Sequence, residues 1–313
     1  MTLTELRYIV AVARTRHFSR AAEACFVSQP TLSVAIRKLE EELGVVLFER
    51  SHSDVTLTPV GKRIVAKAQR VLEEAQGIEQ IAREEDEPLT TPLRLGAILT
   101  IGPYLLPHLI PIMRQRAPRL PLLVEEGFTA DLSTKLKQGE VDAIIIALPF
   151  EVSGVETRPL YDEPFSILLP TAHPWGKRKS IKANELAEET VLLLGPGHCF
   201  RDQVLEACPG CQKPESGKDN IQRSLEGSSL ETIRHMVASG VGITVLPCSA
   251  AEDDQYSQKL VRVRPFSGTP PSRRVALAWR KSYPHPEAIE VLYRAILDCP
   301  IGCVSKLAAE QTQ

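Results

Sequence analysis

Several kinds of segment are absent from this sequence of 313 residues. It contains no run of eighteen apolar residues, so we expect no transmembrane helix and no membrane partner. Its first residues, MTLTELRYIVAVARTRHF, lack an apolar stretch long enough for a secretion signal, because arginines interrupt them. Internal repeats and low-complexity tracts are also absent. A cytoplasmic globular protein is therefore expected, and its length allows two or three domains.

Cysteine is sparse, and its number is odd. Seven cysteines do not make the dense, even-numbered framework of a secreted disulfide protein, and cytoplasmic thiols are normally reduced. Net charge is also low, at −2, but it is unevenly distributed. Residues 1–70 hold eleven Lys or Arg and seven Asp or Glu, a balance of +4, and the stretch REEDE at 83–87 is acidic. A basic N-terminal segment suggests an anionic partner for that part of the chain.

Residues 1–58 predict a small, mainly helical domain. A first helix is indicated from Leu3 to Arg16 by its apolar spacing. Ser28 is a plausible N-cap for a later helix, and Pro30 fits its first turn. That helix has one apolar face and ends before Gly44; the face consists of Leu32, Ile36, Leu39 and Leu43. The stretch VVLFERSHSDVTLTP then predicts two short strands around a polar turn, which is a wing.

Residues 59–87 predict one long helix. Its apolar residues recur every three or four positions, at Ile64, Ala68, Val71, Ala75, Ile78 and Ile81. No core lies nearby in the sequence, so another helix is needed to cover this stripe. A dimer formed through this linker helix is the simplest interpretation, and EDEPLTTP is the hinge that follows it.

Residues 88–313 alternate short apolar runs with helical patterns, which predicts α/β units with a largely parallel sheet. The helical patterns cover 103–116, 130–138, 200–208, 229–238 and 285–298. About 220 residues exceed the needs of one small sheet, so two subdomains with a cleft are expected. Their approximate bounds are 92–163 with 268–300 for the first subdomain, and 164–267 for the second.

The pattern RHFSRAAEACFVSQPTLSVAIRKLEEELGVVLFERSHSDVTLTPVG, residues 16–61, resembles the LysR-type transcriptional regulators. The resemblance implies a winged helix-turn-helix, a linker-helix dimer, and an effector domain like a type 2 periplasmic binding protein. It also implies double-stranded promoter DNA as a partner, a homotetramer, and contact with RNA polymerase during transcription regulation.

The second helix of the motif would present its polar tip and outer face to a major groove. Glutamine pairs well with adenine and arginine with guanine, while serine and threonine can bond phosphate. Arg50 in the wing could reach the flanking minor groove or backbone, although the wing tip SHSD is poor in basic residues. The predicted DNA-binding residues are Ser28, Gln29, Pro30, Thr31, Ser33, Arg37 and Arg50.

The stretch GHCFRDQVLEAC, residues 197–208, places Cys199 and Cys208 at either end of a predicted short helix. Nine helical residues rise about 13 Å and turn the two side chains about 180° apart, whereas a disulfide needs Cα atoms within roughly 4.4–6.8 Å. Any bond between these thiols would therefore require the helix to melt. At the helix start, Cys199 would meet unpaired N–H groups and the positive end of the helix dipole, with His198 and Arg201 nearby. All of these favour a thiolate.

This segment is similar to the hydrogen peroxide sensors within the LysR-type family. The resemblance implies a peroxidatic Cys199, oxidised to a sulfenic acid, and a resolving Cys208. It implies an activator of oxidative-stress genes that works through a redox-active disulfide, without enzymatic turnover or a cofactor, and that a glutaredoxin or thioredoxin reduces. The implied peroxide pocket also contains Thr100, Thr129, His198, Arg201, Asp202 and Arg280.

Other interpretations of the cysteines stay open. Cys211, in CPGC, is a rival to Cys208 as the resolving thiol. A CxxC pair can also be half of a zinc site, but no second CxxC follows. The remaining cysteines are interpreted as buried apolar side chains at Cys25, Cys248 and Cys299, and as a tail residue at Cys303.

Two other functions also stay open. The first is a LysR-type regulator that binds a small organic anion in the interdomain cleft. The second is a thiol peroxidase, against which the helix-turn-helix argues.

Overall fold

The computed structural model describes residues 1–50, 55–84, 89–211, 227–252 and 260–307. Within these ranges the helices are α1 (Leu3–Thr15), α2 (Phe18–Ala24), α3 (Gln29–Leu43), α4 (Pro59–Glu84), α5 (Gly102–Arg116), α6 (Thr129–Lys137), α7 (Cys199–Ala207), α8 (Leu230–Ala238), α9 (Cys248–Glu252) and α10 (Pro286–Leu297). Short 3-10 helices span Pro174–Lys177, Ala183–Glu188 and Pro209–Cys211. No helix among the described residues is both long enough and apolar enough to cross a bilayer.

The strands of the described ranges are β1 (Phe48–Arg50), β2 (Val55–Leu57), β3 (Leu93–Ile98), β4 (Leu122–Gly127), β5 (Ala143–Ala147), β6 (Val155–Pro170), β7 (Val191–Leu192), β8 (Ile243–Pro247), β9 (Val261–Pro265), β10 (Ser272–Arg280) and β11 (Ser305–Lys306). Strands β1 and β2 pair antiparallel as an isolated hairpin. The others form one sheet in the order β4-β3-β5-β10-β6-β8-β7, with β9 and β11 also paired to β6.

Helices α1 to α3 and the β1–β2 hairpin form the predicted winged helix-turn-helix. The hydroxyl of Ser28 accepts the backbone N–H of Thr31 and caps α3, and Pro30 lies in the first turn. Gly44 ends α3 with a φ of +65°, which favours glycine. Leu43 is 37% exposed, so it does not belong to the apolar face that the sequence predicted. The core is completed by α1, with Leu6, Ile9 and Val12 against Leu32, Ile36 and Leu39.

Helix α4 packs at its start on the helix-turn-helix and further along on the α/β part of the chain. Ala68 is buried against the helix-turn-helix core. Glu73 is also buried, and its carboxylate lies 2.5 Å from Nε of Arg280 at the end of β10. Val71 and Ile78 of the predicted stripe remain 44% and 72% exposed. The side chain of Ile81 and residues 85–88 lie outside the described part of the chain.

The sheet is mixed, so the expectation of a largely parallel sheet is wrong. Strand β3 pairs parallel with β4 and β5, and β7 pairs parallel with β8. Strands β6 and β10, however, run antiparallel to their neighbours. The reason is that β6 passes through both halves of the sheet: Val155–Pro164 pairs with β10, and Phe165–Pro170 pairs with β8 and β9.

Two hydrophobic cores lie on either side of this passage. The first is built from β3, β5 and β10 with α5 and α10. The second is built from the distal half of β6 with β8, α7 and α8. Tyr161 belongs to the first core and Phe165 to the second, so the cores divide within β6. Helix α7 lies where the two cores approach each other, because Cys199 packs against the first core and Phe200 is buried in the second.

Candidate functional site

The chain turns sharply before α7 to place Cys199 at the first helical position. Gly197 has a φ of +95°, a conformation that residues with a side chain rarely adopt. A Cβ atom at this position would lie 3.4 Å from the ring of Phe128, so glycine also permits a close approach. His198 is the N-cap residue with extended backbone, and α7 begins at Cys199. Cys199 is only half-buried.

A small cavity brings together four of the predicted site residues. Thr100, Thr129, His198 and Cys199 line it. Thr100 lies in the turn after β3, and Thr129 is the first residue of α6 after β4. The carboxyl ends of two parallel strands therefore face the N-terminus of α7. The cavity holds about 10 Å³, roughly the volume that one water-sized molecule needs.

A buried ion pair holds Thr100 in place. Arg273 Nη1 donates to the hydroxyl of Thr100 at 2.7 Å, and Nη2 donates to its carbonyl oxygen at 2.8 Å. The guanidinium is itself paired with Glu163 at 2.7 Å, and both side chains are almost fully buried. Since the Thr100 oxygen already accepts a hydrogen bond from Arg273, its own O–H can donate to a molecule in the cavity.

Sequence reasoning missed Arg273 and Glu163. A charged residue within a strand indicates an exposed face unless its partner is known, and Glu163 lies 110 positions from Arg273. The only local signal was alternation along β10, where buried Arg273 and Val275 flank exposed Arg274.

His198 is held as a neutral ring. Burial lowers the pKa of His198 below its ordinary value of 6.5, and a hydrogen bond to the backbone of Ser228 opposes this only in part. Its ring stands edge-on to Phe128, with the ring centroids 4.8 Å apart. The expectation that His198 adds positive charge beside Cys199 is therefore wrong at neutral pH.

Three predicted pocket residues do not line this cavity. Arg201 turns away and donates from Nη1 to the carbonyl of Leu194 at 2.7 Å. Asp202 is exposed in the first turn of α7. Arg280 donates to backbone carbonyls of the first subdomain and pairs with Glu73 of α4.

The prediction that Arg280 lies in the pocket is therefore wrong, and the reason is the geometry of the strand. Arg273 and Arg280 stand near opposite ends of β10. Seven strand residues at about 3.3 Å each separate them by about 23 Å. Only Arg273, near the start of the strand, donates to Thr100.

Cys208 lies on the opposite side of α7 from Cys199. It is 3% exposed and packs in the second core, with Phe200 and Val204 of the same helix face. Cys211 is 4% exposed and lies beside it at the end of the 3-10 turn Pro209–Cys211. The hydrogen bond to Cys211, followed by burial, raises the pKa of the Cys208 thiol, so it is protonated at neutral pH. The structure leaves both cysteines as candidates for the resolving thiol.

The remaining cysteines differ from one another. Cys248 and Cys303 form a disulfide with Cα atoms 6.0 Å apart, so the interpretation of Cys248 as an apolar thiol is wrong. Burial raises the pKa of Cys299 to about 11, and burial also raises the pKa of Cys25. In the described ranges no group of three or more His, Cys, Asp or Glu side chains could hold a metal ion.

The predicted DNA-binding residues share the outer surface of α3. Gln29, Pro30, Thr31 and Arg37 are exposed there, and Ser33 is half-buried. Ser28 is exposed, and its hydroxyl lies 2.7 Å from that of Thr31. The side chain of Arg50 and the wing tip 51–54 lie outside the described residues.

Two known families match separate parts of the chain. Residues 3–62 match the bacterial regulatory helix-turn-helix protein of the lysR family, and residues 86–298 match the LysR substrate binding domain. The winged motif thus lies in the first match. The cavity, Cys199 and Cys208 lie in the second.

The similarity to known relatives extends over nearly the whole chain. The DNA-binding transcriptional dual regulator OxyR of Escherichia coli K12 is 40% identical over 95% of both chains. Among solved structures, a full-length OxyR variant from Pseudomonas aeruginosa has a TM-score of 0.85 and 56% identity, covering 98% of each chain. A hydrogen peroxide-bound mutant of OxyR from Corynebacterium glutamicum has a TM-score of 0.62 and 33% identity, covering 95% of this chain and 91% of the other. The chain belongs to the LysR family of bacterial transcriptional regulators.

Proposed function

We propose that this protein is a cytoplasmic DNA-binding regulator that senses hydrogen peroxide through Cys199 and activates oxidative-stress genes. The observation that carries the proposal is the cavity at the N-terminus of α7, where Cys199 meets the hydroxyl-bearing residues Thr100 and Thr129. Relatives named hydrogen peroxide-inducible genes activator, such as that of Haemophilus influenzae at 36% identity, support the choice of signal.

The cavity residues suit attack on a peroxide. The thiolate of Cys199, at the first position of α7, attacks one peroxide oxygen. The O–O bond breaks, negative charge develops on the departing oxygen, and the hydroxyls of Thr100 and Thr129, which line the same cavity, would donate to it. One proton is taken up, one water leaves, and Cys199 becomes a sulfenic acid.

A thiol of the second core then resolves this intermediate. Cys208 attacks the sulfenic sulfur, a second water leaves, and a Cys199–Cys208 disulfide forms. Because the two thiols pack against different cores, this bond requires α7 to unwind. Moving Phe200 and Val204 into water would cost about 1.5–3 kcal/mol each, while closing so short a loop contributes about 2–3 kcal/mol. The rearranged segment must therefore find new packing for at least one of these side chains.

The rearrangement would reach the promoter through α4. We assign the exposed apolar stripe of α4 to a dimer contact. Two such dimers would then form a homotetramer that binds one long promoter site. Repacking between the two subdomains then changes the spacing of the recognition helices, and with it the contact with RNA polymerase. A glutaredoxin or thioredoxin would return the disulfide to thiols.

The proposal is tested by oxidation and promoter footprinting of Cys199→Ser, with Cys299→Ser as the matched control. One equivalent of peroxide is expected to change the footprint of the wild type and the control, and to leave Cys199→Ser unchanged. A preserved response in Cys199→Ser would show that another group senses the peroxide, and no response even in the wild type would favour a small organic ligand in the cleft. Peroxide consumption over many turnovers without any change of footprint would favour a thiol peroxidase.

A further inference from the structure

Two thiols could form a disulfide with Cys208, and the two bonds would require different changes of the fold. A hydrogen bond links the Cys208 and Cys211 thiols in the second core. Cys199 lies at the other end of α7 and packs against the first core. A Cys199–Cys208 bond therefore unwinds the helix, whereas a Cys208–Cys211 bond joins two side chains that are already in contact.

The turn that carries Cys211 is itself well defined. The N–H of Cys211 donates to the carbonyl of Cys208 at 2.9 Å. A Cβ atom at Gly210 would lie 2.8 Å from the side chain of Ala187, so glycine allows this turn to pack closely on the neighbouring 3-10 helix Ala183–Glu188. While α7 is closed, the two cysteines are thus held next to each other by a packed turn at the C-terminal end of that helix.

We propose that Cys211 is a second resolving thiol, which moves the disulfide from Cys199–Cys208 to Cys208–Cys211. This inference rests on the peroxide-sensing function proposed above. The thiolate of Cys211 attacks Sγ of Cys208, the Cys208–Cys211 bond forms, and the Cys199–Cys208 bond breaks. The electron pair leaves on Cys199 as a thiolate, and the proton of Cys211 passes to solvent. One disulfide is exchanged for another, so no further oxidant or reductant is consumed.

One physical difference favours this direction of exchange. Release of Cys199 lets Phe200 and Val204 return to the second core, which restores the apolar burial lost when the helix opened. The oxidised CxxC therefore stores the oxidising equivalent while α7 refolds, and Cys199 is ready for another peroxide.

The test follows the disulfides over time in the reduced full-length protein. One equivalent of hydrogen peroxide is added per subunit, samples are quenched with acid, and the bonds are mapped by mass spectrometry. In the wild type, Cys199–Cys208 is expected first and Cys208–Cys211 is expected to replace it. In Cys211→Ala, Cys199–Cys208 is expected to persist. Cys299→Ala, another buried cysteine variant, is expected to behave as the wild type.

A second equivalent of peroxide gives an independent readout on the same samples. Wild-type Cys199 is expected to react again and to be trapped by dimedone as a sulfenic acid. In Cys211→Ala the second reaction is expected to be at least tenfold slower, because Cys199 stays in its disulfide.

The outcomes separate this inference from the proposed function. A lasting Cys199–Cys208 bond in the wild type, with Cys211 still a thiol, overturns the exchange and leaves peroxide sensing intact. Formation of Cys208–Cys211 in Cys199→Ser at one equivalent also overturns it, because that bond would not pass through Cys199. No oxidation of Cys199 in any sample would instead remove the proposed function. The wild-type time course decides the matter even if Cys211→Ala folds poorly.

Discussion

At the scale of single residues, the cavity depends on a hydrogen-bond chain that crosses much of the sequence. Glu163 holds Arg273, and Arg273 donates twice to Thr100, which is 173 positions away from it. This arrangement leaves the Thr100 O–H able to point towards Cys199 and a bound peroxide. The reactivity of the thiol is therefore set in part by a strand pairing that it does not touch.

Thr100→Val tests this hydroxyl. Valine keeps the shape of threonine and removes the donor, and the loss of one donor to a developing negative charge typically costs about 2.7–4 kcal/mol, a factor of about 10²–10³. We expect oxidation of Cys199 by peroxide to slow by about 100-fold, measured by stopped-flow with dimedone trapping. Thr134→Val, which changes an exposed threonine of α6, is the control, and equal rates in the two variants would contradict the assignment.

His198 predicts a pH dependence of stability. Burial lowers its pKa in the folded state below the ordinary value of 6.5, so the unfolded chain binds the proton more readily. The contribution of the neutral His198 ring to folding stability is therefore fully present above pH 6.5. It is lost as the pH falls through the lower pKa that His198 has in the folded state. The thermal midpoint, followed by circular dichroism, should therefore fall between pH 7.5 and about pH 5. We expect a shallower fall in His198→Asn, and an identical slope would refute the assignment to His198.

At the scale of elements, α7 connects the reactive thiol to the packing of the second subdomain. Its first residue packs on one core, while Phe200 and Val204 are buried in the other. The helix must open for Cys199 to meet Cys208. The packing of its buried face therefore opposes the oxidised state, and weakening that face should favour the disulfide.

Val204→Ala tests this opposition. Removing two buried methyl groups is expected to destabilise the closed helix by about 1.5 kcal/mol. Conversion of the sulfenic acid to the Cys199–Cys208 disulfide should then be about tenfold faster, since 1.4 kcal/mol corresponds to a factor of ten. Quenched-flow mass spectrometry would measure this step. Glu206→Ala, an exposed position on the same helix, should leave the rate unchanged, and an unchanged rate in Val204→Ala would show that opening does not limit the step.

At the scale of the whole molecule, α4 joins the DNA-binding and regulatory parts. Its start packs on the helix-turn-helix core, and Glu73 pairs with Arg280 of β10. Arg280 is therefore a connecting residue and has no place beside the peroxide. The exposed Val71 and Ile78 lie on the face of the same helix that we assign to the dimer.

Ile78→Glu tests that dimer. Ile78 is 72% exposed in the single chain. Burial of an isoleucine contributes about 1.5–3 kcal/mol, and a dimer contains it twice, so the dissociation constant should rise at least about 100-fold. Sedimentation velocity without DNA would measure the change. Lys62→Glu, at an exposed position on the opposite face of α4, should sediment as the wild type. A dimer of unchanged affinity in Ile78→Glu would place the contact elsewhere.

Local patterns in the sequence were sufficient for the longer helices. The cap at Ser28, the stop at Gly44 and the glycine before α7 act over a few residues, and the structure has α3, α4 and α7 close to their predicted bounds. The geometry of a helix with a cysteine at each end likewise follows from its rise and rotation alone. These features depend on neighbours along the chain, so the sequence by itself determined them.

Only the tertiary structure decided which distant residues meet. The first half of β6, VETRPLYDEP, has no apolar run, and it becomes a central strand because β10 pairs with it. That register brings Glu163 to Arg273 and sends Arg280 to Glu73. The sequence pattern could not choose among the arginines of β10, because the choice depends on pairing with segments more than 100 positions away.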